Sequence, residues 1–200
     1  MEGLDPYRID GHKLLYHPER VLKWLEADQD WEKLKEIYPI YVEVSPTGAC
    51  NHRCRFCALD FRGYLREEFP AQILALRLQE MAECGVKSVM FAGEGEPLLY
   101  RDLALLVEKA SEAGIDCAIT TNGSLLHEEF LKRALPKLSW IKVSLDAAKA
   151  QTYAYLHGTS EEAFHRVVSN LRKAVRIRES LGARCTLGTQ MLLLPENRKE

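Results

Sequence analysis

The sequence predicts an α/β fold built on a parallel sheet. From residue 40 onward, five short β-branched or apolar runs are separated by four longer stretches of helical periodicity. The helical stretches are closed by glycine or proline, and the connections are short. That pattern favours parallel strands joined by crossover helices lying outside the sheet. The chain shows no internal repeat and no low-complexity segment.

Residues 1–38 read as a helical, irregular extension ahead of a core over 39–200. Pro18 suits the first turn of a helix running through Val21, Leu22 and Leu25. A second short helix is expected over 31–37, ended by Pro39. Residues 40–44, rich in β-branched side chains, form the first strand, which Ser45-Pro46 terminates. An amphipathic helix over 70–84 closes at Gly85. The second strand covers 87–92 and the next helix 102–113, followed by Gly114. The third strand is 116–121, and the helix over 125–135 stops at Pro136. The fourth strand spans 140–145, a long helix runs over 160–181 to Gly182, and residues 184–194 contain the fifth strand. Periodicity leaves open whether the sheet is doubly wound or a barrel-like βα array. Both designs put a site at the carboxyl ends of the strands.

Two hundred residues suffice for one domain with a real core. The 46% apolar and 28% charged fractions are ordinary for a globular protein. Lys plus Arg number 27 against 29 acids, a net charge of −2, which argues against a nucleic-acid or anionic-membrane surface. The opening MEGLDPYRID has no basic segment followed by an apolar one, and residues 191–194 are far too short to span a bilayer. A cytoplasmic protein is expected.

Of six cysteines, Cys84, Cys117 and Cys185 are isolated among apolar or helix-forming neighbours and read as structural thiols. The other three crowd the loop after the first strand, CNHRCRFCALD, as Cys50, Cys54 and Cys57 in C-x3-C-x2-C spacing. Three thiolates in one short loop can face one point. Iron–sulfur clusters normally take four cysteine thiolates, so three would leave one iron open to a small ligand. Structural zinc is the competing reading. It needs a fourth ligand, for which His52 is the local candidate, and zinc loops more often pair two C-x2-C units. A non-catalytic metal-binding module, zinc or iron–sulfur, would follow from that reading.

C-x3-C-x-aromatic-C after the first strand of a βα domain resembles the signature of the radical S-adenosylmethionine (SAM) superfamily, with Phe56 in the aromatic position. Further strand ends resemble that family in order. The second ends in FAGEGEPLL, where Gly93 and Gly95 permit a sharp turn and a ligand's close approach, and Glu94 and Glu96 offer carboxylates. Alone, it could be a turn with two solvated acids. The third strand ends in Asn122-Gly123, a common turn pair. The fourth ends in SLDA, where alternation puts Ser144 and Asp146 on one strand face, although either could cap a turn. Gln190 on the fifth could reach a ligand or be a core amide. Tyr153, Tyr155, His157 and His165 take no assigned role, with packing as their default.

The resemblance implies a partial (β/α) barrel, truncated here after about the fifth strand, with a [4Fe-4S] cluster on Cys50, Cys54 and Cys57. It implies a SAM site shaped by Phe56, Gly93, Glu94, Gly95, Glu96, Asn122, Ser144 and Asp146. It further implies reductive cleavage of SAM to a 5′-deoxyadenosyl radical that abstracts hydrogen from a small molecule or peptide. A flavodoxin- or ferredoxin-type electron donor is the implied partner. The chain ends where a fifth core helix should begin, so a longer protein is expected, with an auxiliary-cluster (SPASM) domain as one continuation.

Overall fold

The computed structural model describes residues 14–200. The first part of the expected N-terminal extension, including the segment read for an export signal, lies outside the described residues. The elements are α1 (Pro18–Ala27), α2 (Trp31–Leu34), β1 (Tyr41–Val44), α3 (Ala71–Glu83), β2 (Ser88–Phe91) and α4 (Leu103–Glu112). They continue as β3 (Asp116–Thr121), α5 (Glu128–Ala134), β4 (Leu138–Ser144), α6 (Ala150–His157), α7 (Glu161–Ser180) and β5 (Thr186–Gln190).

The five strands lie in the order β1-β2-β3-β4-β5, and every pairing is parallel. A doubly wound sheet reverses its strand order at a switch point. No reversal occurs here, so the array winds in one direction, as a barrel does. Among the described residues β1 pairs only with β2, and β5 only with β4, so the barrel is partial.

Period-two alternation sorts the strand residues between two faces. Val89, Phe91, Cys117, Ile119, Ile141 and Val143 are buried in one cluster with Leu106 and Val107 of α4, Leu131 of α5 and Val167 of α7. Met90, Thr120, Lys142 and Ser144 alternate with them and are half-buried on the opposite, concave face. Register sets Thr120 beside Lys142, Lys142 beside Gly188, and Ser144 beside Gln190. Helix α7 repeats the logic at a helical period, burying Ala163, Val167, Asn170, Ala174 and Ile177. Glu161 and Glu162 in its first turn and Arg178 in its last complement the helix dipole.

Three helices differ from the sequence expectation. Helix α2, expected over 31–37, ends at Leu34, beyond which the Glu36 and Ile37 amides donate three residues back, to Lys33 O and Leu34 O. Helix α5 begins at Glu128, because residues 125–127 form a turn in which the His127 amide donates to Leu125 O at 2.8 Å. Helix α6 is separate from α7: it ends at Gly158, whose left-handed φ of 57° breaks the helix before α7 starts. The N-terminal helices are tied to the sheet body by Arg20, whose guanidinium donates to Gly85 O at 3.1 Å and to Tyr38 O. A cavity of about 550 Å³ between that layer and Tyr41 opens at the amino end of β1, away from the cysteine loop.

Candidate active site

The cysteine loop leaves the carboxyl end of β1 and is held on three sides. Toward β2, Ala49 O accepts the Glu96 amide at 2.8 Å. A Cβ on Gly95 would stand 2.3 Å from Ala49 O and 2.5 Å from Thr47 O. The close approach that requires this glycine is therefore to the loop backbone, where the sequence suggested a ligand. Toward β3, Asn122 Nδ2 donates to Asn51 Oδ1 at 2.8 Å, and Asn51 Nδ2 donates to Ser124 Oγ at 2.9 Å. Toward α6, the Arg53 amide donates to His157 O at 3.0 Å and the Arg55 amide to Leu156 O at 2.8 Å. Arg55 also lies over the Tyr155 ring, 3.9 Å from its centroid. A side chain at Gly158 would meet Arg53 O at 2.2 Å. These contacts bring α6 against the loop.

The two glutamates of the β2 turn differ. Glu96 is buried, and its carboxylate accepts from Thr121 Oγ1 (2.5 Å), the Asn122 amide (2.8 Å) and the Leu98 amide (3.0 Å). Burial raises its pKa against the lowering by those three donors. Glu94 is half-buried, pairs with Arg62 Nε at 3.0 Å, and its amide donates to Ser45 Oγ. Gly93 sits at φ 117°, where a Cβ would collide with Ser45 Cβ at 2.6 Å. Glu94 also borders a cleft of about 300 Å³ with Ser45, Gly48, Arg62 and Phe69.

Ser144 ends β4 on the concave face. Asp146 does not share its alternation: it lies beyond the strand at φ 53°. Its buried Oδ1 accepts the Leu192 amide at 2.6 Å, and its Oδ2 lies 3.5 Å from His157 Nε2. The amides of Leu145 and Asp146 both donate to Gln190 O, which bends the chain away from the strand line. Gln190 itself is exposed, so the core-amide reading does not hold.

The three loop thiols are half-buried and free. Burial raises Cys50 above its ordinary value. Burial, with Cys50 and Cys57 adding to it, pushes Cys54 to about 12. Bare thiolates crowded there are unfavourable, whereas coordination to a metal deprotonates a thiol outright. The donor set thus fits a metal–sulfur centre, and Cys50, Cys54 and Cys57 could hold one.

Sequence reasoning missed His157. Its Nδ1 lies 3.2 Å from Cys54 Sγ and its Nε2 3.2 Å from Leu145 O. The ring stacks on Tyr153 at 4.2 Å and meets Phe56 edge-on at 5.6 Å. The available signal was the i, i+4 spacing of Tyr153 and His157, which puts both rings on one helix face. His52, also buried, meets the His157 ring edge-on at 5.6 Å. Desolvation, then the neighbouring His157 and Arg166, lower His52 to about 4, so it is neutral.

Residues 44–200 match the family described as the Radical SAM superfamily. The chain belongs to that superfamily. Members of it use a [4Fe-4S] cluster and SAM, and this chain carries the corresponding domain of a radical SAM enzyme. A probable GTP 3′,8-cyclase of Methanothermobacter marburgensis is 33% identical over 139 residues, 68% of this chain and 44% of that protein. An S-adenosylmethionine-dependent nucleotide dehydratase of Lacinutrix mariniflava is 36% identical over 107 residues, 49% of this chain and 21% of that protein. The radical SAM chain therefore spans less than half the length of these curated relatives. Among solved structures, Streptococcus suis SuiB bound to its precursor peptide SuiA superposes with TM-score 0.61 at 23% identity, over 78% of this chain and 36% of SuiB. SuiB bound to SAM gives 0.60 at 22% identity, over 87% of this chain and 44% of SuiB. That likeness agrees with the partial barrel. No helix among the described residues is long and apolar enough to cross a membrane.

Proposed function

We propose that Cys50, Cys54 and Cys57 hold a [4Fe-4S] cluster with one iron left for SAM, and that the whole protein uses it to abstract hydrogen from a substrate. The observation that carries this reading is the clamped three-thiol loop at the carboxyl edge of the sheet, fixed by Gly95, Asn51 and α6. When bound, the cluster supplies one electron to SAM, whose cleavage yields methionine and a 5′-deoxyadenosyl radical.

The chain's own residues divide the work of building the site. The Glu96 carboxylate ties the β2 turn to the end of β3, while its amide holds the loop at Ala49 O. Asn122 holds the loop through Asn51, and both residues shape the SAM site through backbone position. Glu94, Phe56 and Ser144 retain surface that a ligand can contact, and Gly93 keeps the turn sharp. Asp146 acts through His157 and the Leu192 amide. A nucleotide-class small molecule is the substrate we infer. The nucleotide activities for which the two relatives are named support it, as does Lys142 on the concave face, which has no hydrogen bond or ion pair among the described residues. Gly188, its neighbour in register, leaves open space there. A flavodoxin- or ferredoxin-type donor would supply the electron. Free thiols at Cys84, Cys117 and Cys185 favour a reducing, cytoplasmic setting. We also assign residues 1–38 to an extension and 39–200 to the core.

The test is formation of 5′-deoxyadenosine by the full-length, reconstituted and reduced protein beside its Cys54→Ala variant, with and without GTP or CTP. Nucleoside above the variant's level supports the radical reading, and stimulation by a nucleotide supports the substrate class. Equal traces from both proteins would favour a non-catalytic metal-binding module.

A further inference from the structure

Around Cys54 the structure assembles a second donor set that uses only one of the three loop thiols. His52, Cys54 and His157 each bring one donor atom into a group whose members all lie within 4.8 Å of one another. In a tetrahedral zinc site, bonds of about 2.0–2.1 Å to nitrogen and about 2.3 Å to sulfur set neighbouring N and S atoms roughly 3.5 Å apart. His157 Nδ1 and Cys54 Sγ, at 3.2 Å, are close to that spacing before any ion arrives.

The second nitrogen of His157 fixes which atom faces the thiol. Nε2 lies 3.2 Å from Leu145 O and 3.5 Å from Asp146 Oδ2. A carbonyl oxygen only accepts, so the ring proton sits on Nε2, and Nδ1 turns its lone pair toward Cys54. Metal-bound histidines are oriented in this way, donating the far N–H to a carbonyl or carboxylate. His52 contributes an independent sign. It is buried, and among the described residues its Nδ1 has no hydrogen-bond partner, an arrangement that buried polar groups normally avoid. Tyr153 packs against both rings, stacked on His157 and edge-on to His52, which holds their positions.

We propose that His52, Cys54 and His157 form a mononuclear site for a thiophilic divalent ion of the zinc class in the cluster-free protein, with the fourth position taken by water. Two neutral imidazoles donate lone pairs, and Cys54 gives its proton to solvent as the ion binds. Because Cys54 belongs to both donor sets, the ion and the cluster exclude each other; that consequence rests on the cluster assignment proposed above. The ion-bound state then protects Cys54 and must be displaced when the cluster is built.

The experiment uses full-length protein freed of iron under anaerobic conditions, with cobalt(II) as the probe. Tetrahedral cobalt shows visible ligand-field bands, and its near-ultraviolet thiolate band grows with the number of thiolates bound. The Cys50→Ser/Cys57→Ser double variant keeps all three proposed donors. It should bind one cobalt with the intensity of a single thiolate, and one equivalent of zinc should displace it. Outer-shell losses alone weaken metal sites about 10–100-fold, so adding His157→Gln, His52→Gln or Cys54→Ser should weaken cobalt at least about tenfold. Circular dichroism shows which of these variants fold. The double variant decides the matter even if they do not. Absence of tetrahedral cobalt in it would overturn the proposal, as would undiminished binding in folded His157→Gln protein. Cobalt bound by the double variant, together with an unsubstituted full-length protein that never assembles a cluster from iron and sulfide, would instead overturn the cluster assignment and leave this site standing.

Discussion

The two faces of the sheet are built from alternate residues of the same strands, yet they differ in kind. On the helix-covered face, Phe91, Ile119 and Val143 are 0% exposed and sit in one apolar cluster. On the concave face, Met90, Thr120, Lys142 and Ser144 stay half-buried and mostly polar. At the carboxyl edge the concave side is capped by a loop held by hydrogen bonds, tight glycine contacts and ring contacts to α6. A period of two thus separates residues that keep the chain folded from residues available for chemistry. Substitutions on one face should move stability and leave metal content alone. At the carboxyl edge, the reverse should hold except where the clamp itself is broken.

The largest expected effect on stability comes from the packed face. Phe91→Ala should destabilise the protein by about 3–5 kcal/mol, as large-to-small core changes of this type do. Denaturant unfolding reads this, and iron per folded chain should stay unchanged. A loss of iron from fully folded Phe91→Ala protein would break the division between faces.

Gly95→Val crosses the boundary. The new side chain must displace Thr47 and Ala49 backbone. Overpacking of this kind costs about 1–3 kcal/mol, and here the strain falls on the cysteine loop. Melting temperature and iron content should fall together; normal iron with a lowered melting temperature would contradict the clamp.

Glu96→Gln sharpens the comparison through pH. The amide replaces one of two accepting oxygens with a donor, leaving a buried N–H unsatisfied at a cost of about 1–3 kcal/mol. Burial raises the Glu96 pKa above the ordinary 4.5. The folded chain therefore holds its proton more tightly than the unfolded chain does. Its stabilising contribution is full below about pH 4.5 and is lost as pH rises through the folded value. The stability gap between the unsubstituted protein and Glu96→Gln should narrow over that rise. A gap that widens would mean that the three donors outweigh burial.

The smallest stability effect belongs to Lys142→Ala. Among the described residues its ammonium has no hydrogen bond or ion pair and only a distant approach to the Trp140 ring, 5.8 Å from the centroid, so the change should cost no more than about 0.5–1 kcal/mol. Any nucleotide stimulation of SAM cleavage should nevertheless drop. Unchanged stimulation would remove Lys142 from the substrate site.

Much of this division was legible from residue order. Strand alternation and helix-closing glycines such as Gly85 and Gly182 are local signals, so the five strands and most helices could be read directly. The three loop cysteines were equally plain, because their spacing is a property of eight residues. Contacts between distant segments were not legible. His157 reaches Cys54 only after β4, a left-handed Asp146 and a short α6 have turned the chain back over the loop. Glu96 read as a free carboxylate because its three donors lie at positions 98, 121 and 122, two of them on another strand end. Gly95 read as ligand space because sequence shows that room is needed but not which backbone fills it.

The most direct measurement is iron and sulfide per chain in full-length protein carrying each single cysteine-to-alanine change, after anaerobic reconstitution. About four irons and four sulfides are expected in the unsubstituted protein and in Cys84→Ala, Cys117→Ala and Cys185→Ala. Cys50→Ala, Cys54→Ala and Cys57→Ala should each fall to background while remaining folded by circular dichroism. A normal cluster in any of the three loop variants, or stoichiometric zinc with no iron–sulfur absorbance in the unsubstituted protein, would contradict the account.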